Sequence, residues 1–301
     1  MKRFRPGATP RQWVGHAATL ARRTVTEVLA DRVTTIAGSL AFHWFLAIFP
    51  AAVALIGIAG LVGLSPGALH TILHGVGTLM PSQTSQILSQ ALVHKATKGT
   101  SRVEVVLGIL VAVWSATEAM AALQIGLDVA YEVRRDRGYF GRRAMAVPLL
   151  VLTLVLGGSA STLLVLGDPI RRLLPSHFPL VTPAASFAWS ALRWGGALVL
   201  IMLLLSAYYA VGPRRERFTW RWVTPGSVVA TLGWLAASAA FSLYLNRFGD
   251  ETHSYGAFAD VAVLLLWLYL TGLAVLVGAE LNSEAERLRP RTAPEGLPSV
   301  T

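Results

Sequence analysis

Cysteine is absent from all 301 residues. Disulfides, thiolate metal sites and cysteine nucleophiles are excluded with it. Charge is scarce as well: 14% of the residues are Asp, Glu, Lys or Arg, where a soluble domain carries roughly 25%. No Gly-rich phosphate loop occurs, because "GGSAS" (157–161) lies in an apolar run without a Lys. The start, "MKRFRPGATPRQWVGHAATLARR", is basic but lacks an apolar core with a small-residue cleavage site, so no cleavable signal is expected. Internal repeats and low-complexity linkers are also missing, which leaves one membrane domain with short tails as the economical organisation.

What abounds is apolar: 54% of the chain is hydrophobic. Six runs reach the ~20 residues that a helix needs to cross a bilayer. They are Ile36 to Val62, Val103 to Leu127, Ala144 to Leu166, Trp189 to Val211, Val223 to Leu245, and Phe258 to Leu281. The expected fold is all-α, a polytopic bundle of six transmembrane helices over 36–282. A cytoplasmic arm precedes it (1–35) and a Pro-rich tail that is expected to be disordered follows it (283–301). Pro50 near the middle of the first span predicts a kink, tolerated where neighbouring helices satisfy the freed carbonyl.

The net charge of +10 points first to topology rather than to nucleic acid. Nineteen of the 26 Lys and Arg fall in the N-terminal arm, the 128–143 and 212–222 loops and the C-terminal tail. Six lie on the alternate side, and Arg193 lies within a span. Basic loops stay in the cytoplasm, so both termini are expected there. Residues 10–31 read as an amphipathic helix, with Trp13, Ala17, Leu20, Ala21, Thr24, Val25 and Val28 towards one side. It lies either on the membrane surface or against the cytoplasmic face of the bundle. The outer connection 63–102 is too long for a structureless loop, and its amphipathic pattern predicts short helices.

Candidate chemistry is sparse. Glu118 lies well inside the second span, where a charge costs ~2.5–3.5 kcal/mol and usually faces the bundle interior or water. His43, on the first span, is at similar depth, which makes a Glu118–His43 contact the expected neutraliser. It is either a packing hydrogen bond or a protonatable element in a solute or proton path. Asp128 lies further along the same helix, and is grouped with them as a candidate intramembrane polar site. Arg193 and Asp260 both begin spans at the outer surface and form a candidate ion pair. The alternative is that each simply reaches the headgroups. Asp128, Glu132 and Asp136 interleaved with five arginines read as solvated ion pairs and anionic-lipid contacts. Glu280, in "VGAELNSEAERLR", either accepts from a neighbouring cytoplasmic loop or marks the exit of the last span. His70 and His74 share a helix spacing that metals use, but "HTILH" lacks the intervening Glu of a zinc motif and no third ligand is at hand. No metal and no cofactor is expected.

Three patches resemble the YihY/BrkB family of bacterial inner-membrane proteins, once labelled ribonuclease BN. They are "SLAFHWFLAIFP" (39–50), "WSATEAMAALQIGLDVAYEVRRDRGYFGRRA" (114–144) and "YGAFADVAVLLLWLYLTGLAVLVGAELNSE" (255–284). The chain departs from the family's usual residues at His43, Asp128 and Asp260, so the resemblance implies no special chemistry at those positions. It implies six helices in the inner membrane and an envelope role in which transport or lipid handling is suspected. RNA hydrolysis needs a His pair or metal-holding carboxylates in water, and the seven histidines are scattered, so ribonuclease activity is not expected. The first expectation is a bundle that moves or flips a hydrophobic or amphipathic envelope solute, such as a lipid. The alternative is an envelope scaffold without transport. Expected partners are membrane lipids and envelope proteins or further copies of the chain, with no nucleic acid.

Overall fold

A computed structural model describes residues 10–61, 102–134, 137–173, 183–214, 222–252 and 257–288. Every regular element among them is helical: α1 (Pro10–Ala30), α2 (Val33–Leu61), α3 (Arg102–Ala130), α4 (Tyr139–Leu152), α5 (Gly158–Leu173), α6 (Pro183–Val211), α7 (Pro225–Thr252) and α8 (Ala257–Arg287). A π-helical stretch, Thr153–Gly157, joins α4 to α5 without a break. Counting that joined rod once, six helices are long and apolar enough to cross a membrane. They agree with the six expected spans, and the chain is a membrane protein. The expected short helices of the outer connection, like His70 and His74, lie outside the described residues.

Local chemistry explains most of the boundaries. Thr224 caps α7: its Oγ1 accepts the Ser227 N–H at 3.1 Å, and Pro225 occupies the first turn, where no N–H is needed. α3 ends in a Schellman turn, with Val133 N–H donating to Asp128 O at 2.9 Å and Glu132 N–H to Val129 O at 2.8 Å. The residue that must turn left-handed there is Glu132 (φ 48°), not Gly, and Arg32 (φ 50°) does the same between α1 and α2. Each costs roughly 1–3 kcal/mol that the surroundings must offset. α2 runs unbroken through Pro50. In the π stretch, Thr153 Oγ1 donates to Leu149 O at 2.7 Å and lies 2.5 Å from the buried Tyr208 hydroxyl.

α8 is the hub, touching α1, α2, α3, α6 and α7. Small residues permit this. A Cβ on Gly226 would strike the Gly278 carbonyl oxygen, and one on Gly278 would lie 2.6 Å from Gly226 O, so α7 and α8 cross nearly backbone to backbone. Gly126 likewise lets α3 meet Leu276 of α8, where a Cβ would be 2.7 Å from its Cδ2. Leu40, Leu123, Leu127, Leu149 and Tyr209 fill the main core. Outward faces are apolar instead, with Phe42, Leu46, Leu110, Leu154, Leu232 and Leu243 exposed as lipid contact demands.

α1 packs on α8 and α2 at the arginine-rich end, so the expected amphipathic helix rests against the bundle. Thr24 is buried and Val28 packs against the Val33–Leu276 cluster. Ala21 and Val25, expected on the same stripe, point away instead, because the bundle covers only the Thr24–Val28 side; Val25 is 59% exposed and Leu29 beside it 71%.

Candidate functional site

The polar residues singled out from the sequence occupy separate places, each with its own partners. Glu118 does not meet His43. Its carboxylate forms an ion pair with Arg143 of α4, while a ring nitrogen of His43 lies 2.7 Å from the Ser39 carbonyl, one turn back on α2. The reason is the connection after α3, which folds back along that helix. Gln124, fully buried on α3, donates to the Arg142 carbonyl at 3.2 Å and accepts from Arg137 at 3.2 Å. α4 therefore begins beside Gln124, about 9 Å up from the end of α3 at 1.5 Å per residue. A long Arg side chain from there reaches Glu118.

Arg143 is held through its two terminal guanidinium nitrogens, while its buried Nε meets no acceptor. One guanidinium nitrogen donates to Trp114 O at 3.0 Å and to Thr117 Oγ1 at 2.7 Å. The group lies 4.3 Å from the Trp114 ring centroid and 5.6 Å from that of Tyr139. This anchors it well beyond a simple surface pair. The pair faces outwards: Glu118 sits on the stripe of Leu107, Val111, Trp114 and Ile125, all exposed. Its side chain is 45% exposed against 14% for Arg143. A neutralised charge pair is thus presented on an otherwise lipid-compatible helix face, which the expectation of an inward-facing carboxylate did not foresee.

Asp128 serves a different purpose. Its Oδ1 accepts the Arg214 N–H at 3.0 Å, and Arg137 donates to the Gly212 carbonyl at 2.5 Å, so α3 and its turn clamp the start of the α6–α7 connection. The side chain of Asp260 lies outside the described residues, and with it the expected pairing with Arg193.

Glu280 belongs to a polar cluster at the arginine-rich end of α8, where Glu280, Asn282, Ser283 and Glu284 are all buried. Asn282 donates to the Tyr131 hydroxyl at 2.8 Å and to Glu286 at 3.1 Å. Arg287 pairs with Glu284 at 2.8 Å and with Glu132 at 3.0 Å, and Arg23 reaches Glu284 at 3.9 Å. The carboxyls of Glu280 and Asp31 lie within hydrogen-bonding reach of each other. Asp31 lies outside the spans. Burial, then the neighbouring Glu132 charge, raises its carboxyl above the ordinary value. Sequence reasoning passed over Asp31 and the Arg287–Glu132 pair because the partners are some 250 and 155 residues apart in the chain; only Glu280 was singled out here.

The model of the virulence factor BrkB family matches residues 24–298. The chain belongs to the virulence factor BrkB family. Among the relatives of this BrkB-family chain is a Bacillus subtilis (strain 168) protein named ribonuclease-like protein YfkH. It is 29% identical over 244 residues, covering 81% of this chain and 86% of the relative. UPF0761 membrane proteins of Chromobacterium violaceum and Nitrosospira multiformis are each 28% identical, over 94% and 86% of this chain. The chain spans 66% and 58% of their lengths, respectively. No solved structure matches the chain.

Proposed function

We propose that this BrkB-family protein moves an amphipathic envelope solute, such as a lipid, across the bacterial inner membrane, with both termini in the cytoplasm. The observation that carries the reading is the Glu118–Arg143 pair. An amphipathic solute crossing a bilayer must pass its polar part through hydrocarbon, which a bare apolar helix face makes costly. A carboxylate and a guanidinium side by side, half open on a lipid-facing stripe, offer that polar part a partner while its chains stay in lipid. Placement of the termini rests on the nineteen basic residues gathered on their side. Lipids are the expected partners in this reading, and no hydrolytic step on RNA and no nucleic-acid contact enters it.

A scaffold that docks envelope partners or further copies without transport is the second reading. It is favoured by the several partners that hold Arg143, namely Glu118, Thr117 Oγ1 and the Trp114 carbonyl, which resemble a packing device. Purified protein in liposomes carrying a headgroup-labelled phospholipid separates the two. Transport predicts protein-dependent movement of label between leaflets that falls at least about tenfold in Glu118→Gln with Arg143→Gln. Equal movement with and without protein contradicts it. Incubation of the same preparation with RNA and Mg²⁺ is expected to leave the RNA intact.

A further inference from the structure

We propose that Asp31 and Glu280 form a proton-binding site in which one shared proton latches α1 onto α8, and that losing the proton frees α1. The inference stands apart from the transport reading and concerns the other end of α8. Glu280 is 2% exposed, and its Oε1 meets no hydrogen-bond donor. What faces its carboxyl is another carboxyl, that of Asp31. Two carboxyl groups form a hydrogen bond only while one of them carries a proton, because carboxylates are acceptors alone. With both ionised, two like charges would touch at a buried site, and one of the pair is driven to stay neutral.

The neighbours do not remove the need for that proton. From α1, Glu27 adds negative charge near Glu280. From the turn after α3, Glu132 faces Asp31. From α8 itself, Arg287 is within range of both, but its guanidinium is already shared by Glu132 and Glu284. A proton on one of the two carboxyls supplies the donor that Glu280 lacks. The two strained left-handed residues border the same site: Arg32 follows Asp31, and Glu132 faces it. Such strain persists only where surrounding contacts over-determine it. The latch is a contact that holds α1 in its turn. Once released, α1 would carry its outward edge, Val25 and Leu29, into the membrane interface.

The natural chain has no cysteine, so Leu29→Cys and Leu288→Cys can carry two spin labels on the full-length protein in lipid nanodiscs. Between about pH 5 and about pH 9, the latch predicts a narrow label distance at the acid end that broadens reversibly at the alkaline end. Asp31→Asn and Glu280→Gln each supply a permanent donor, so each holds the narrow distance throughout. A distance in the unsubstituted background that ignores pH overturns the proposal, as does a pH response that survives in both variants. Infrared spectra at neutral pH give a second readout that needs no motion. One protonated-carboxyl carbonyl band is expected in the natural protein and should be missing from either variant. A spectrum identical in all three contradicts the shared proton.

Discussion

At the residue scale, the fate of each charge follows from who reaches it. Arg143 is mostly covered, and it satisfies Glu118, Thr117 and the Trp114 carbonyl while lying over two aromatic rings. Arg143→Ala removes all of these at once and is expected to cost about 1–3 kcal/mol, read as a lowered Tm in detergent. Arg143→Lys keeps the charge but not the forked donors and recovers only part of the loss. Asp31 gives a pH dependence. Its folded-state carboxyl titrates above the ordinary value, chiefly through burial, so the native chain holds that proton more tightly than the unfolded chain. The associated stability is fully present below the ordinary aspartate range and is lost as pH rises through the raised value. Thermal unfolding against pH should therefore slope downwards over that window, and Asp31→Asn should flatten it. The sequence showed that Glu118 needed a partner but not which one. Depth counted in residues from the span ends pointed to His43, and only the folded-back turn at Gln124 brings Arg143 level with it.

At the element scale, the helices were legible because hydrophobic length is a strong signal, and lipid admits few other backbone solutions. The third span was read as starting at Ala144, whereas its helix begins at Tyr139 with Arg142 and Arg143 already in its first turns. Charge near a helix start looks like loop in a hydropathy reading. The joining π turn left no trace in composition; its Thr153 meets Tyr208 from another helix. Nothing in the sequence names the closest helix crossing. That crossing is Gly226 on Gly278, with Asn282 Cβ 2.6 Å from where a Gly226 Cβ would stand. Gly226→Ala must push α7 off α8 and is expected to cost about 1–3 kcal/mol. Gly233→Ala on the same helix meets nothing within 4 Å and gains helix propensity, up to about 1 kcal/mol. Thermal shifts of opposite sign for the two variants are the expected outcome.

At the scale of the whole molecule, a bundle emerges whose two polar features sit on different helices and serve different ends. The Glu118–Arg143 pair opens sideways between α3 and α4, and the carboxyl-rich end of α8 carries α1. The lengths of the apolar runs indicated a six-span membrane protein, and the distribution of basic residues gave the expectation that both ends face inwards. That orientation is checked by labelling a single cysteine: Leu288→Cys should react with a membrane-impermeant thiol reagent in inverted vesicles and be protected in intact cells. The central claim is tested most directly in the native envelope, by comparing lipids leaflet by leaflet in a deletion strain. The strain would carry the natural protein or Glu118→Gln at matched membrane levels. Transport through the Glu118–Arg143 site predicts a lipid that accumulates in the inner leaflet of the deletion strain and is cleared by the natural protein but not by Glu118→Gln. Equal clearance by both proteins, or leaflets unchanged by the deletion, would contradict the account.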